Sequence, residues 1–235
     1  MLSVEIWSDV VCPWCYVGKR RFEAALARFP PRAAVEVPGR AFELDSAAPA
    51  EATGDYAERL GRKYRTSTEQ AQAMVDNMTA VAATEGLDFH FEKARTGNTF
   101  NAHRLIHLAG ERGAQDAVKE RLLRATFVEG EPIGDDETLV RLVGEAGIET
   151  GEARAVLAAD AYAAEVRADQ ALAQQFGVTG VPFFVLDRTY AVNGAQSADV
   201  LLAALEQAWA ARVPALSLIG AGSSAPGCDG DACAV

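Results

Sequence analysis

Apolar and polar residues alternate over Ser3-Val4-Glu5-Ile6-Trp7-Ser8, the period of a half-buried strand. The rhythm then changes, and Val17 to Leu26 is an Ala-rich amphipathic run with helical spacing. Pro30-Pro31 breaks it. Ala34 to Leu44 reads as a second strand, with Pro38 and Gly39 placing a bulge or an edge inside it. Strand, helix and strand make one right-handed crossover unit. From Asp45 the helical period takes over. It predicts helices over Asp55–Arg65 and Ser67–Glu85, the second opened by a capping box of Ser67 with Gln70 and stopped at Gly86. Leu87 to Phe91 is a short extended or turn segment. Helices follow over Thr99–Arg112, Ala114–Val128, Asp136–Glu145, Gly151–Ala159 and Asp160–Phe176, with glycines as punctuation. Gly180 to Leu186 is β-branched and aromatic and reads as a strand. Tyr190-Ala191-Val192 is another across a turn, and Ser197 caps a last helix to about Arg212. Residues 213–235 read as a flexible tail, rich in Gly, Ser, Ala and Asp between Gly220 and Gly230.

The order is therefore β-α-β, a long helical stretch, then β-β-α. That predicts an α/β protein whose sheet domain, residues 1–44 and 172–212, is interrupted by an inserted all-helical domain, residues 45–171, and followed by a Cys-containing tail. With 235 residues, 49% of them hydrophobic, the chain has ample material for a packed core. Its net charge of −11 excludes an electrostatic footprint on nucleic acid or an anionic membrane. No apolar run approaches the ~18–20 residues a membrane span needs. A strand begins almost at once, with no charged-then-apolar leader, so a cytoplasmic location is expected. The four Cys fall in two pairs, Cys12/Cys15 and Cys228/Cys233, which suits reactive thiols in a reducing compartment rather than a disulfide framework.

Cys12-Pro13-Trp14-Cys15 stands at a strand-to-helix junction, the place of a redox dithiol. Backbone N–H groups at a helix N-terminus favour a thiolate, which makes Cys12 the expected nucleophile. Cys15, one turn along, is the expected resolving thiol. Half of a zinc site is the other meaning of C-x-x-C, but no second such pair is present to complete a tetrahedron. Lys19, Arg20 and Arg21 add to the ionisation of Cys12 if they face it; a solvated helix face is their blander role. Asp9, three residues before Cys12, is placed either to influence its proton or to cap the turn into the helix. Pro13 and exposed apolar Trp14 shape a docking surface, Trp14 being otherwise core. His103, His107 and Glu111 share a helix face at ligand-like spacing, but no open catalytic signature accompanies them, and no metal is expected. Cys228 and Cys233, in a Gly/Asp loop, are spaced to close a small disulfide. They form a candidate second redox pair, a loose chelate or a bystander.

Three runs together carry a resemblance: Cys12 to Gly18, Gly97 to Leu105 with Asn98, Asn101, His103 and Arg104, and Val178 to Phe184. In this order they are similar to the DsbA-type thioredoxin-fold oxidoreductases, specifically the FrnE-like branch. The resemblance implies a thioredoxin fold with an inserted helical domain and thiol–disulfide oxidoreductase activity on proteins or small thiols. No organic cofactor is then needed, and glutathione is an optional co-substrate. It implies that Val181–Pro182 is a cis bond facing the dithiol, with the Val181 backbone open to strand-like pairing by a peptide. It also implies that part of the Asn98–His103 run lines the cleft above Cys12, polar capping by Asn98 or Thr99 being the alternative. Some FrnE-like proteins carry a similar C-terminal C-x4-C, which makes Cys228/Cys233 a candidate relay. Kappa-class glutathione transferases and 2-hydroxychromene-2-carboxylate isomerases are similar in fold, typically with Ser where Cys12 stands. A glutathione-dependent isomerase or transferase is thus the second function class. A redox-controlled holding protein or metal binder, working through the tail, is the third. Oligomeric state stays open.

Overall fold

A computed structural model describes residues 1–212; the expected tail with Cys228 and Cys233 lies outside the described residues. β1 (Leu2–Ser8) is the central strand of a mixed sheet. β2 (Val35–Glu36) and β3 (Gly39–Ala41) run parallel along one edge of it, and β4 (Phe183–Leu186) runs antiparallel along the other, with β5 (Tyr190–Asn193) outermost. The single strand expected over Ala34–Leu44 is thus two short pieces. Pro38 has no N–H for a ladder, so the pairing breaks there. Its carbonyl still accepts from the Ile6 N–H at 3.1 Å, which holds the edge together. A central place in the sheet also corrects the reading of β1 as half-buried: both faces are covered, and Glu5 is only 3% exposed.

α1 (Pro13–Arg28) makes the crossover from β1 to β2. With α9 (Ala198–Arg212) it covers one face of the sheet. Phe22, Ala25 and Phe29 meet Leu201, Leu205 and Ala208 over Val4, Phe184 and Leu186. Residues recurring every three or four positions put these side chains on one stripe of each helix. The opposite face is closed by α8 (Ala163–Gln175), where Ala173 packs with Trp7, Val178 and Val185. The Trp7 indole N–H donates to the Asp169 carbonyl at 2.9 Å, so the buried ring leaves no orphan donor.

Six further helices lie in the chain between β3 and α8: α2 (Tyr56–Tyr64), α3 (Thr68–Thr84), α4 (Phe100–Glu111), α5 (Gln115–Arg124), α6 (Asp136–Glu145) and α7 (Thr150–Ala158). Both arms of the expected Ser67–Gln70 capping box are made. The helix expected over Ala114–Val128 changes to a π-helical turn at Ala125–Glu129. Gly130 ends it at φ +75°, where a Cβ would stand 2.6 Å from the Lys93 carbonyl oxygen. These helices build two cores. One joins α4 to α7 around Leu105, Leu122, Leu139 and Leu142. The other gathers Val75, Met78, Phe89 and Phe127 around Tyr16 and Val17 of α1. The helix that carries the dithiol is therefore packed on the sheet along one stripe and on the helical body along another. The expected boundary between residues 171 and 172 falls inside α8, whose last residues belong to the core around Trp7.

Candidate active site

After β1 the chain turns through Asp9, Val10 and Val11, and the Cys12 N–H donates to the Asp9 carbonyl at 3.2 Å. Cys12 is the extended N-cap residue of α1, at φ −100° and ψ 111°, and Pro13 is the first helical residue. The helix begins four positions before the amphipathic run at Val17 because Pro13-Trp14-Cys15 itself forms its first turn, where a missing N–H costs nothing. Both sulfurs are free thiols, 5% exposed at Cys12 and 3% at Cys15. The Cys12 thiol points at the Val181 carbonyl, Sγ to O 3.5 Å. The Val181–Pro182 bond is cis. Gly18, one turn beyond Cys15, lets this loop approach the helix, since a Cβ there would lie 2.7 Å from Pro182 Cγ. Trp14 is 40% exposed beside the thiols, and Pro13 is half-buried.

The two sulfurs stand in different surroundings. Burial pushes the Cys15 thiol well above its ordinary range, and the Cys12 sulfur beside it pushes the same way. The basic residues of α1 do not point free charge at Cys12. Lys19 pairs with Glu23, with Asp116 at 3.0 Å and with Glu120 at 3.3 Å. Arg20 bonds Glu23 and Glu120, and Arg21 bonds Glu85 at 2.6 Å and the Ala195 carbonyl at 2.7 Å. These side chains tie α1 to the helical body, which is neither of the two roles expected for them. The cation nearest to Cys15 in effect is instead Lys119 of α5, whose amine burial brings down to about 8.

Asp9 is 1% exposed and holds the turn rather than facing solvent. Its Oδ2 accepts from the Leu44 N–H at 2.8 Å, while Oδ1 makes no hydrogen bond among the described residues and lies 3.4 Å from His103 Nε2. His103 is enclosed behind Asp9, with Nε2 also 3.1 Å from the Phe42 carbonyl, and does not line an open cleft. Asn98 accepts from the Phe100 N–H at 3.0 Å and donates to the Ser46 carbonyl at 3.4 Å, so it shapes the entry to α4. Arg104 donates to the Ala161 carbonyl and to Asn101, each at 2.9 Å, and clamps the α7–α8 connection. His107 meets Asp169 at 3.0 Å, and Glu111 accepts from the Tyr162 hydroxyl at 2.7 Å. The histidine-bearing face of α4 is thus shared among separate partners. Among the described residues no three metal-binding side chains gather.

Two residues that sequence reasoning missed are coupled electrostatically to the sulfurs. Tyr56 opens α2 on the Cys12 side; burial first, and Cys12 second, raise its phenol. It lines a cavity of about 540 Å³ with Asp9 and Val11, and Arg59, Arg62 and Lys63 border the same space. Lys119 and Cys15 share a second cavity, of about 320 Å³, on the other side of the dithiol. Neither residue carries a local signal, because each reaches the site only through the packing of the inserted helices.

A dithiol on the first turn of a helix, facing a cis-proline loop on a β-α-β and β-β-α sheet, defines the thioredoxin-like class. The DSBA-like thioredoxin domain model matches residues 3–206, and the chain belongs to that family. A probable DsbA oxidoreductase from Streptomyces coelicolor is similar throughout, at 51% identity and TM-score 0.87 over 100% of this chain and 99% of that one. The cytosolic disulfide reductase DsbM from Pseudomonas aeruginosa, solved with GSH, shares the fold at 19% identity and TM-score 0.62, over 88% of this chain and 99% of that one. An uncharacterized protein, YwbO, of Bacillus subtilis is 28% identical over 203 residues, 85% of this chain and 93% of its own length.

Proposed function

We propose that the protein is a dithiol–disulfide oxidoreductase in which Cys12 attacks a substrate disulfide and Cys15 resolves the mixed disulfide. The arrangement of Cys12 at the N-cap of α1, with its sulfur 3.5 Å from the Val181 carbonyl and Cys15 one turn behind, carries this reading. Substrate sulfur binds to Cys12, and the Val181 backbone beside it and exposed Trp14 offer a peptide or small thiol its docking surface. Electrons reside in the two sulfurs, so no organic cofactor enters the cycle. Arg59, Arg62 and Lys63 border the cavity lined by Asp9, Val11 and Tyr56, where carboxylates such as those of glutathione find cationic partners, and this supports glutathione as a co-substrate. A glutathione-dependent isomerase needs one activating sulfur or hydroxyl. The second cysteine, buried directly behind the first, has no part in that chemistry. We place this activity in the FrnE-like branch and in the cytoplasm; among the described residues no helix is long and apolar enough to cross a membrane.

The test is a pair of serine variants in an assay with a disulfide-bonded protein and with oxidised glutathione. Cys12→Ser should abolish turnover, while Cys15→Ser should accumulate a mixed disulfide through Cys12, identified by mass spectrometry. Equal trapping by both variants, or full turnover with Cys12 gone, would sink the assignment.

A further inference from the structure

The resolving step poses a problem that the cysteines alone do not solve. Cys15 must lose its proton to attack, yet it is 3% exposed, and burial holds its proton on. Behind it lies the 320 Å³ cavity, whose wall includes Cys15, Ser8, Pro182 and, from the inserted helix α5, Lys119. The cavity that both residues line has room for water.

The charged groups around this cavity are Lys19 and Glu23 of α1 and Asp116 and Lys119 of α5. Lys19 is held by Glu23, Asp116 and Glu120, and against the opposing effect of burial its amine is raised by Glu23 and Asp116. β1 contributes Ser8 and β3 contributes Gly39, neither of which titrates. Gln115 fastens α5 to the sheet edge, accepting from the Gly39 N–H at 2.7 Å and donating to its carbonyl at 3.2 Å. Lys119 differs from Lys19 in making no ion pair among the described residues. Partly exposed as a residue, it lines the same cavity as Cys15, where loss of solvent around the amine favours the neutral base while the Cys15 and Asp116 charges oppose this.

We propose that Lys119 is the proton acceptor for Cys15 in the step that resolves the mixed disulfide. This rests on the dithiol reading above. The neutral amine takes the Cys15 proton through water in the cavity and becomes an ammonium. The Cys15 thiolate attacks Cys12 Sγ. The Cys12–Cys15 bond forms as the bond from Cys12 to the substrate breaks, and the substrate sulfur leaves with the electron pair. The ammonium returns its proton to the departing thiolate or to solvent. The enzyme dithiol loses two electrons, which the substrate disulfide gains. A general base of this kind is worth about a hundredfold or more in rate.

The test uses the full chain with Cys228→Ser and Cys233→Ser, so that only the Cys12–Cys15 pair is read, and 5,5′-dithiobis(2-nitrobenzoate) as the disulfide. Attack by Cys12 releases one equivalent of coloured thiolate, and resolution by Cys15 releases the second. In the parent protein the second phase should accelerate with pH through an ionisation near 8. Lys119→Gln should leave the first phase unchanged and slow the second about a hundredfold at neutral pH, with the ionisation gone. Lys119→Arg keeps the positive charge but cannot give up a proton, so it should lose the same ionisation. In both variants the second phase should gain on the parent's only toward strongly alkaline pH, where hydroxide begins to ionise the buried thiol itself. A second phase as fast as the parent's in either variant, or slowed equally at every pH, overturns the proposal. If Cys15→Ser still releases the second equivalent, the dithiol reading falls and the role of Lys119 falls with it.

Discussion

Glu5 is a buried carboxylate in the middle of the central strand, and its partners explain why the fold tolerates it. Arg40 reaches Oε1 from β3 at 2.5 Å, and Arg188 reaches Oε2 from the β4–β5 turn at 2.9 Å. Burial alone would raise this carboxyl, but the hydrogen bonds from Arg188 and Arg40 bring it below the usual glutamate range. A group whose value falls on folding stabilises the folded state above its unfolded value, and that gain fades as pH drops through the folded value. Glu5→Gln should therefore destabilise the protein by about 2 kcal/mol at neutral pH, less than a fully buried pair because Arg188 is exposed and screened. Urea unfolding at neutral pH and near pH ~4 should show the gap between parent and variant shrinking in acid. A gap that grows in acid would contradict this account of Glu5.

At the scale of elements, the site depends on how closely α1 can sit against the loop before β4. Cys15 and Gly18 fall on neighbouring turns of α1, and Gly18 faces Pro182. The absent side chain at Gly18 is what brings the Val181 carbonyl within 3.5 Å of the Cys12 sulfur. Gly18→Ala adds a methyl that must push Pro182 Cγ from 2.7 Å. It should cost about 1–3 kcal/mol, partly repaid by better helix propensity. The rate of mixed-disulfide formation in a Cys15→Ser background should fall as the loop moves off Cys12. An unchanged trapping rate in a destabilised Gly18→Ala protein would separate packing here from function.

For the whole molecule, the question is whether sheet and inserted helices form one cooperative unit. Tyr16 and Val17 belong to the core that holds Val75, Phe89 and Phe127, and Phe127 is fully buried within it. The rings of Phe89 and Phe127 lie 5.0 Å apart, and those of Tyr16 and Phe89 5.8 Å apart. All three Trp, at positions 7, 14 and 209, lie outside residues 45–171, so fluorescence reads the sheet while ellipticity reads chiefly the helices. We expect the two transitions in denaturant to coincide. Phe127→Ala should cost about 3–5 kcal/mol and shift both transitions together. If ellipticity moved while fluorescence stayed, the inserted helices would be a separate folding unit and not the brace of α1.

Local features were legible in the residues alone. Period-two alternation marked β1, the capping box marked the start of α3, and C-x-x-C at a strand-to-helix junction marked the dithiol, because each depends on residues within a turn or two of one another. The run Val178 to Phe184 was legible as the partner loop of the dithiol through its resemblance to a family, and the loop lies there. The rest came from packing between distant elements. It made β1 central, which turned an apparently half-buried strand into one with a buried, doubly paired Glu5. It set His103 behind Asp9 instead of in a cleft, and it spent the charges of Lys19, Arg20 and Arg21 on carboxylates from other elements. It also brought Tyr56 and Lys119 to the two sulfurs from helices far along the chain. Composition cannot show such placements, because burial and the partner of a charge depend on which distant surfaces come together, and hydrophobic packing is blind to the order of residues along the chain.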